Sequence, residues 1–130
     1  MVNRLCESLR ADKTCRALKG VGTEQINEAE NRLGLKFSDE YRAMLQEFGI
    51  VSIYGHELIG LGASKRLDVV DNTLTEREIN IDFPSEQYVV EETGMDGIVI
   101  TQDQRGNVYQ YQPNIPLKKI AGSISEYLYK

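Results

Sequence analysis

Apolar residues recur along this chain first at helical spacing and then, after Gly49, at strand spacing. Val2, Leu5, Cys6 and Leu9 predict a helix at the start, and a second short helical stretch is expected from about Asp12, as N-cap, to Lys19, with Gly20 and Gly22 breaking it. Thr23 is placed to cap the next helix. Glu24 adds negative charge to its first turn, Ile26, Ala29 and Leu33 form the stripe, and Gly34 supplies a left-handed stop. The logic then repeats: Ser38 caps, Asp39 and Glu40 complement the dipole, Tyr41, Met44, Leu45 and Phe48 make the apolar face, and Gly49 ends the helix.

Beyond Gly49, Val51, Ile53 and His56 to Ile59 predict a hairpin of short strands, turned at Gly55 and closed by Gly60 and Gly62. From Leu67 to Glu78 two signals compete. Leu67, Val70 and Leu74 keep helical spacing, whereas Val69, Thr73 and Thr75 are β-branched; the spacing favours a helix. Tyr88-Val89-Val90, Ile98 to Thr101 and Val108 to Tyr111 read as three strands of an antiparallel meander, with turns at Gly94 to Gly97 and Asp103 to Asn107. Pro113 and Pro116 are expected to end the sheet. Ser123 caps a last helix with Ile124, Tyr127 and Leu128 on its apolar face.

This order predicts an α+β protein: a mainly antiparallel sheet with N-terminal helices and a C-terminal helix packed on it. The 130 residues suit one domain spanning 1–130, and 41% hydrophobic residues against 27% charged ones supply a core. The first ten residues are charged throughout and carry no signal-peptide core, and runs such as Gly97 to Ile100 fall far short of the roughly 20 residues that span a bilayer. A cytoplasmic location without membrane contact is expected. If one helix ran through Cys6 and Cys15, their nine-residue separation would put them on opposite faces, so buried free thiols are expected.

The net charge is −5, distributed as +3 over residues 1–20, −4 over 21–60, −6 over 61–100 and +2 over 101–130. An acidic centre opposes direct nucleic-acid binding and suits a basic partner. No catalytic or cofactor chemistry stands out. Gly60 to Lys65 lacks the spacing of a phosphate loop, and His56 is the only histidine. Successive strand carboxylates such as Glu91 and Glu92 point to opposite faces, and Asp96 to Asp103 does not supply a calcium loop. No metal, no cofactor and no enzymatic activity are therefore expected.

The run Ile26 to Tyr41, INEAENRLGLKFSDEY, resembles the opening signature of the SUKH superfamily, also called Smi/Knr-like: a helix carrying a glutamate, a Leu-Gly stop and a second helix led by tyrosine. Met44, Leu45, Phe48 and Gly49 continue it, Tyr54-Gly55 and Gly60 are similar to its strand section, and Ser123 to Leu128 to its closing helix. Ser38 stands where the family often has proline, and Phe48-Gly49 where it often has Asn-Gly. The family includes fungal cell-wall-assembly regulators and bacterial immunity proteins that neutralise nuclease toxins; this chain is more similar to the bacterial kind. The resemblance implies a protein that binds and neutralises a cognate toxin, a basic nuclease domain with ribonuclease favoured, by stoichiometric inhibition. The alternative it implies is an intracellular scaffold or regulatory module like the fungal members.

The expected partner contacts are Tyr54, Glu57, Glu86, Tyr88, Glu91, Glu92 and Asp96. The carboxylates would face a basic toxin surface and the tyrosines would anchor it. The competing reading makes most of the carboxylates, with Glu76, Glu78 and Asp82, a solvated face and the tyrosines core.

Overall fold

The computed structural model describes residues 4–129, so Val2 of the opening stripe lies outside the described residues. In chain order the elements are α1 (Arg4–Ala11), β1 (Arg16–Lys19), α2 (Thr23–Leu33), α3 (Asp39–Glu47), β2 (Phe48–Ile53), β3 (His56–Leu58), α4 (Val69–Ile79), β4 (Tyr88–Glu92), β5 (Val99–Gln102), β6 (Val108–Tyr111), β7 (Lys118–Ala121) and α5 (Ile124–Tyr129). A 3₁₀ turn, Lys65–Leu67, leads into α4. The fold is α+β, with a three-stranded antiparallel sheet ordered β1-β2-β3 and a four-stranded one ordered β4-β5-β6-β7. The sheets meet where Ile59 N donates to Val90 O at 2.8 Å.

Local chemistry explains most boundaries. Gly34 ends α2 at φ 67°, and Ser38 Oγ opens α3 by accepting from Tyr41 N at 3.0 Å. At α2 the cap is Gly22, one residue before Thr23, and the Gln25 side chain accepts from its N–H. Tyr54 and Gly55 both have positive φ, the twist that a two-residue hairpin turn favours. Asp68 opens α4 by accepting from Val70 N and Asp71 N at 2.8 and 3.1 Å.

Three expectations are corrected. The segment from Asp12 to Lys19 is not helical: Asp12 Oδ1 accepts from Thr14 N at 2.9 Å, which turns the chain, and Arg16–Lys19 pairs antiparallel with β2. Ala17, Leu18 and Lys19 suit a helix, but the ladder offered by β2 overrides propensity. Cys6 therefore sits buried in α1 and Cys15 half-buried in the following loop, and neither is in a disulfide. Gly49 does not end α3 at a turn; Phe48 is already extended and the chain runs directly into β2. Pro113 and Pro116 do not end the sheet either. They lie in a connection, and β7 adds a fourth strand, with exposed Lys118 and Lys119 on this outer strand.

Most of the apolar residues that carried the family resemblance are buried. Phe37, Tyr41 and Tyr88 form an aromatic triangle with ring centroids 4.8–5.1 Å apart, each pair worth about 0.5–1.5 kcal/mol beyond its buried area. Tyr41 Oη donates to Ile59 O at 2.6 Å, and Tyr88 Oη accepts from Ser38 N at 2.9 Å while donating to Gln102 Oε1 at 2.7 Å. Glu30, the helix glutamate, is 3% exposed; it accepts from Phe37 N at 2.9 Å and pairs with Arg42 at 2.7 Å. Glu40 crosses from α3 to the end of the chain. Its carboxylate accepts from Ile124 N at 2.7 Å and Ser125 N at 3.0 Å, so it caps α5 as well as opening α3.

Candidate partner-binding face

Three segments meet at one end of the four-stranded sheet: the start of the loop after α4, the β4–β5 turn and the β6–β7 connection. The pairing of β4 with β5 and of β6 with β7 places the last two there. Gln112 Nε2 reaches Asp96 O and Gly97 packs near Pro113, which brings those two side by side. Tyr111 Oη donates to Asp82, and the Phe83 and Tyr111 rings meet edge-on at 5.0 Å, which ties in the loop after α4.

This end is acidic and studded with exposed apolar side chains. Glu92 and Asp96 are exposed on β4 and its turn, Glu78 is exposed on α4, and Glu76 lies close enough to Glu92 for their charges to interact. Ile79 is 69% exposed, Ile81 fully so and Met95 63%. Exposed branched and thioether side chains beside carboxylates are the composition that protein interfaces use for an apolar centre and a charged rim. Glu57 extends the rim along β3: it shares a shallow hollow with Arg66, Glu92 and Thr93, and it pairs with Arg66 at 3.1 Å.

The other expected contacts are dispersed. Tyr88 is fully buried in the aromatic triangle and is not a surface anchor. Glu91 is 6% exposed and also unavailable: it accepts from Glu57 N at 3.1 Å, lies 3.0 Å from His56 Nδ1 and receives the Tyr127 hydroxyl, joining β3, β4 and α5. Burial and that carboxylate push the Tyr127 phenol well up. The alternation expected for Glu91 and Glu92 is seen, with the first inward and the second outward, although the β4–β5 register shifts between Val89 and Glu91. Tyr54 is exposed at the β2–β3 turn, where its ring meets Tyr129 at 5.8 Å and its hydroxyl donates to Asp12. Glu86 lies toward the opposite end of the sheet, in a groove with Asp103 and Tyr109.

Sequence reasoning missed Ile79, Ile81 and Met95. Their signal is apolar residues alternating with polar ones in Ile79-Asn80-Ile81-Asp82, and Met95 standing between two glycine turns.

Glu76 gives this face a pH signature. Burial raises its carboxyl above the ordinary value of 4.5, a hydrogen bond from Asn80 Nδ2 opposes the rise, and Glu92 adds to it. A raised folded-state value means that folding favours the protonated acid. That stability is present below the unfolded pKa and is lost as pH rises through the folded pKa. Glu76→Gln is therefore expected to raise the thermal midpoint near pH 7, with the gain vanishing below the ordinary glutamate value. Parallel melts across that range check it; an unchanged or lowered midpoint at pH 7 refutes the burial argument.

Among the described residues no cluster of three or more His, Cys, Asp or Glu side chains could hold a metal ion, and no helix is long and apolar enough to cross a membrane. A family model for a SUKH group described as SMI1-KNR4 cell-wall matches residues 1–130. No curated protein matches the chain.

Proposed function

The chain belongs to the SMI1-KNR4 family of the SUKH superfamily, and from that premise we propose that it is an immunity protein that binds a cognate nuclease toxin. The observation that carries this reading is the acidic end of the four-stranded sheet, where Glu92, Asp96 and Glu78 are exposed and so are Ile79, Ile81 and Met95. A nuclease must present cations to hold a phosphate backbone, so its substrate-binding surface is the natural complement of this face. Opposite charges speed encounter and select the partner, while the isoleucines supply contact area that excludes water. Inhibition is stoichiometric and steric: the bound protein denies RNA access to the toxin's groove. A ribonuclease is the favoured target, the protein acts without turnover or cofactor, and it makes no direct contact with nucleic acid or membrane.

Co-expression with the toxin encoded beside its gene is expected to restore growth and to yield a one-to-one complex. Reversing Glu57, Glu92 and Asp96 together to lysine is expected to weaken that complex at least about tenfold and to flatten its salt dependence, leaving the melting temperature within a few degrees. No rescue and no complex refute the toxin reading. An intact complex with unchanged salt dependence moves the interface off this face. Pull-downs that return a housekeeping assembly in place of a toxin support the scaffold reading implied by the fungal members.

A further inference from the structure

The opposite end of the four-stranded sheet carries a different chemistry. A groove of about 800 Å³ opens between the end of α2, the segment before β4 and the β5–β6 turn, within the size range of small-molecule sites. Its walls include Lys36, Arg77 and Arg105, three cations in a chain of net charge −5.

Two of those cations lack counter-ions. Arg10, Arg42 and Arg66 each pair with a carboxylate, whereas Arg77 and Arg105 make no ion pair among the described residues. Arg77 Nη2 donates to Ser85 O at 3.0 Å, but its Nε is shut off from solvent without an acceptor, the one such buried side-chain nitrogen or oxygen among the described residues. That Nε–H is desolvated without compensation, and the half-buried guanidinium keeps a charge that no carboxylate pairs with and that an arriving anion would balance.

The carboxylates in the groove do not fill that role. Asp103 is consumed locally: its Oδ1 accepts from Arg105 N and Asn107 N, both at 3.0 Å, and its Oδ2 accepts from Tyr109 Oη at 2.9 Å. Glu86 is exposed at the rim and accepts only from Ser85 Oγ at 3.2 Å. Beside the cations, Leu35 and the Tyr109 ring are half-buried, leaving apolar surface next to the charge.

We infer that this groove binds a small organic oxyanion. Its carboxylate or phosphate pairs with Arg77 and Arg105, and its body lies against Leu35 and Tyr109. Arg77 lies between Glu76 and Glu78 on α4, but none of the residues that line the groove belongs to the acidic face, so the inference does not rest on the toxin reading.

An NMR titration tests it, using inorganic phosphate and benzoate as separate probes, at ionic strength held constant with chloride, on the wild-type chain and on Arg77→Met, Arg105→Ala and Glu86→Gln. Saturable amide shifts at Leu35, Lys36, Glu86, Arg105 and Tyr109 are expected with at least one probe. Response to phosphate alone assigns a phosphorylated ligand, and response to benzoate alone a carboxylic acid. Arg77→Met is expected to weaken binding about tenfold, in keeping with loss of a charge-assisted fork, and Glu86→Gln to strengthen it by removing a competing anion. If Arg77→Met fails to fold, Arg105→Ala and Glu86→Gln carry the test. A merely structural Arg77 changes the melting temperature and leaves the titration as it was. Absence of saturable shifts with both probes, or identical affinity in all variants that fold, overturns the inference.

Discussion

Gly60→Ala is expected to abolish the folded state, or to cost more than about 4 kcal/mol, the range reached when no local relaxation is available. A Cβ at Gly60 would stand 1.8 Å from Gly49 O and 3.1 Å from Leu45 Cδ2. The first of these atoms is backbone and already engaged, since Gly49 O accepts from Leu61 N at 3.1 Å. Gly60 is pinned as well: its N–H donates to Leu67 O at 2.9 Å and its carbonyl accepts from Val69 N at 2.8 Å. Relieving the clash would part β2 from the segment that leads into α4, and with it the junction of helices and sheets. Gly22→Ala is the control, because a Cβ there meets nothing within 4 Å and the φ of −77° suits any residue. That change is expected to stay within about 1 kcal/mol. Urea titrations followed by circular dichroism compare the two, and a Gly60→Ala midpoint near wild type would refute the close approach described here.

Gly49 and Gly60 also mark where sequence reading stops. The sequence shows them as punctuation, because glycine most often frees φ at turns. Their actual constraint is contact between distant backbones, which no local window contains. The same division holds elsewhere. Ser38, Gly34 and Ser123 were legible because a cap is satisfied within three or four residues of itself. Arg16–Lys19 was not, because its strand character is supplied by β2. Of the expected partner contacts, Tyr88 and Glu91 carry the right chemistry for an interface, but it is spent internally. Charge and aromaticity can be counted in a sequence, whereas burial depends on which element lies across. Glu57, Glu92 and Asp96 are at the surface, with the first two in one hollow, and the apolar side chains beside them became visible only through exposure.

Glu30→Ala is expected to destabilise the fold by about 3–5 kcal/mol, the cost of breaking a buried pair from one side. Glu30 is a carboxylate on a helix face that an amphipathic pattern would assign to water, yet its side chain is 3% exposed. It is held there by Arg42 Nη1 at 2.7 Å and by Phe37 N at 2.9 Å, and Lys36 stands 3.9 Å away. Truncation leaves the Phe37 N–H buried without an acceptor and Arg42, 26% exposed, with only its weaker contact to Asn27. It also loosens the Leu-Gly turn that sets Phe37 against Tyr41 and Tyr88. Glu30→Gln keeps the volume and an acceptor for Phe37 N, so its cost is expected to be about half. Pairing Glu30→Leu with Arg42→Met is expected to recover much of the loss, because removing both partners leaves no unpaired charge behind. Chemical denaturation of Glu30→Leu, Arg42→Met and the pair completes a double-mutant cycle. If Glu30→Ala cost less than about 1 kcal/mol, the glutamate of the family signature would not be a structural strut, and its place in the signature would need a functional explanation.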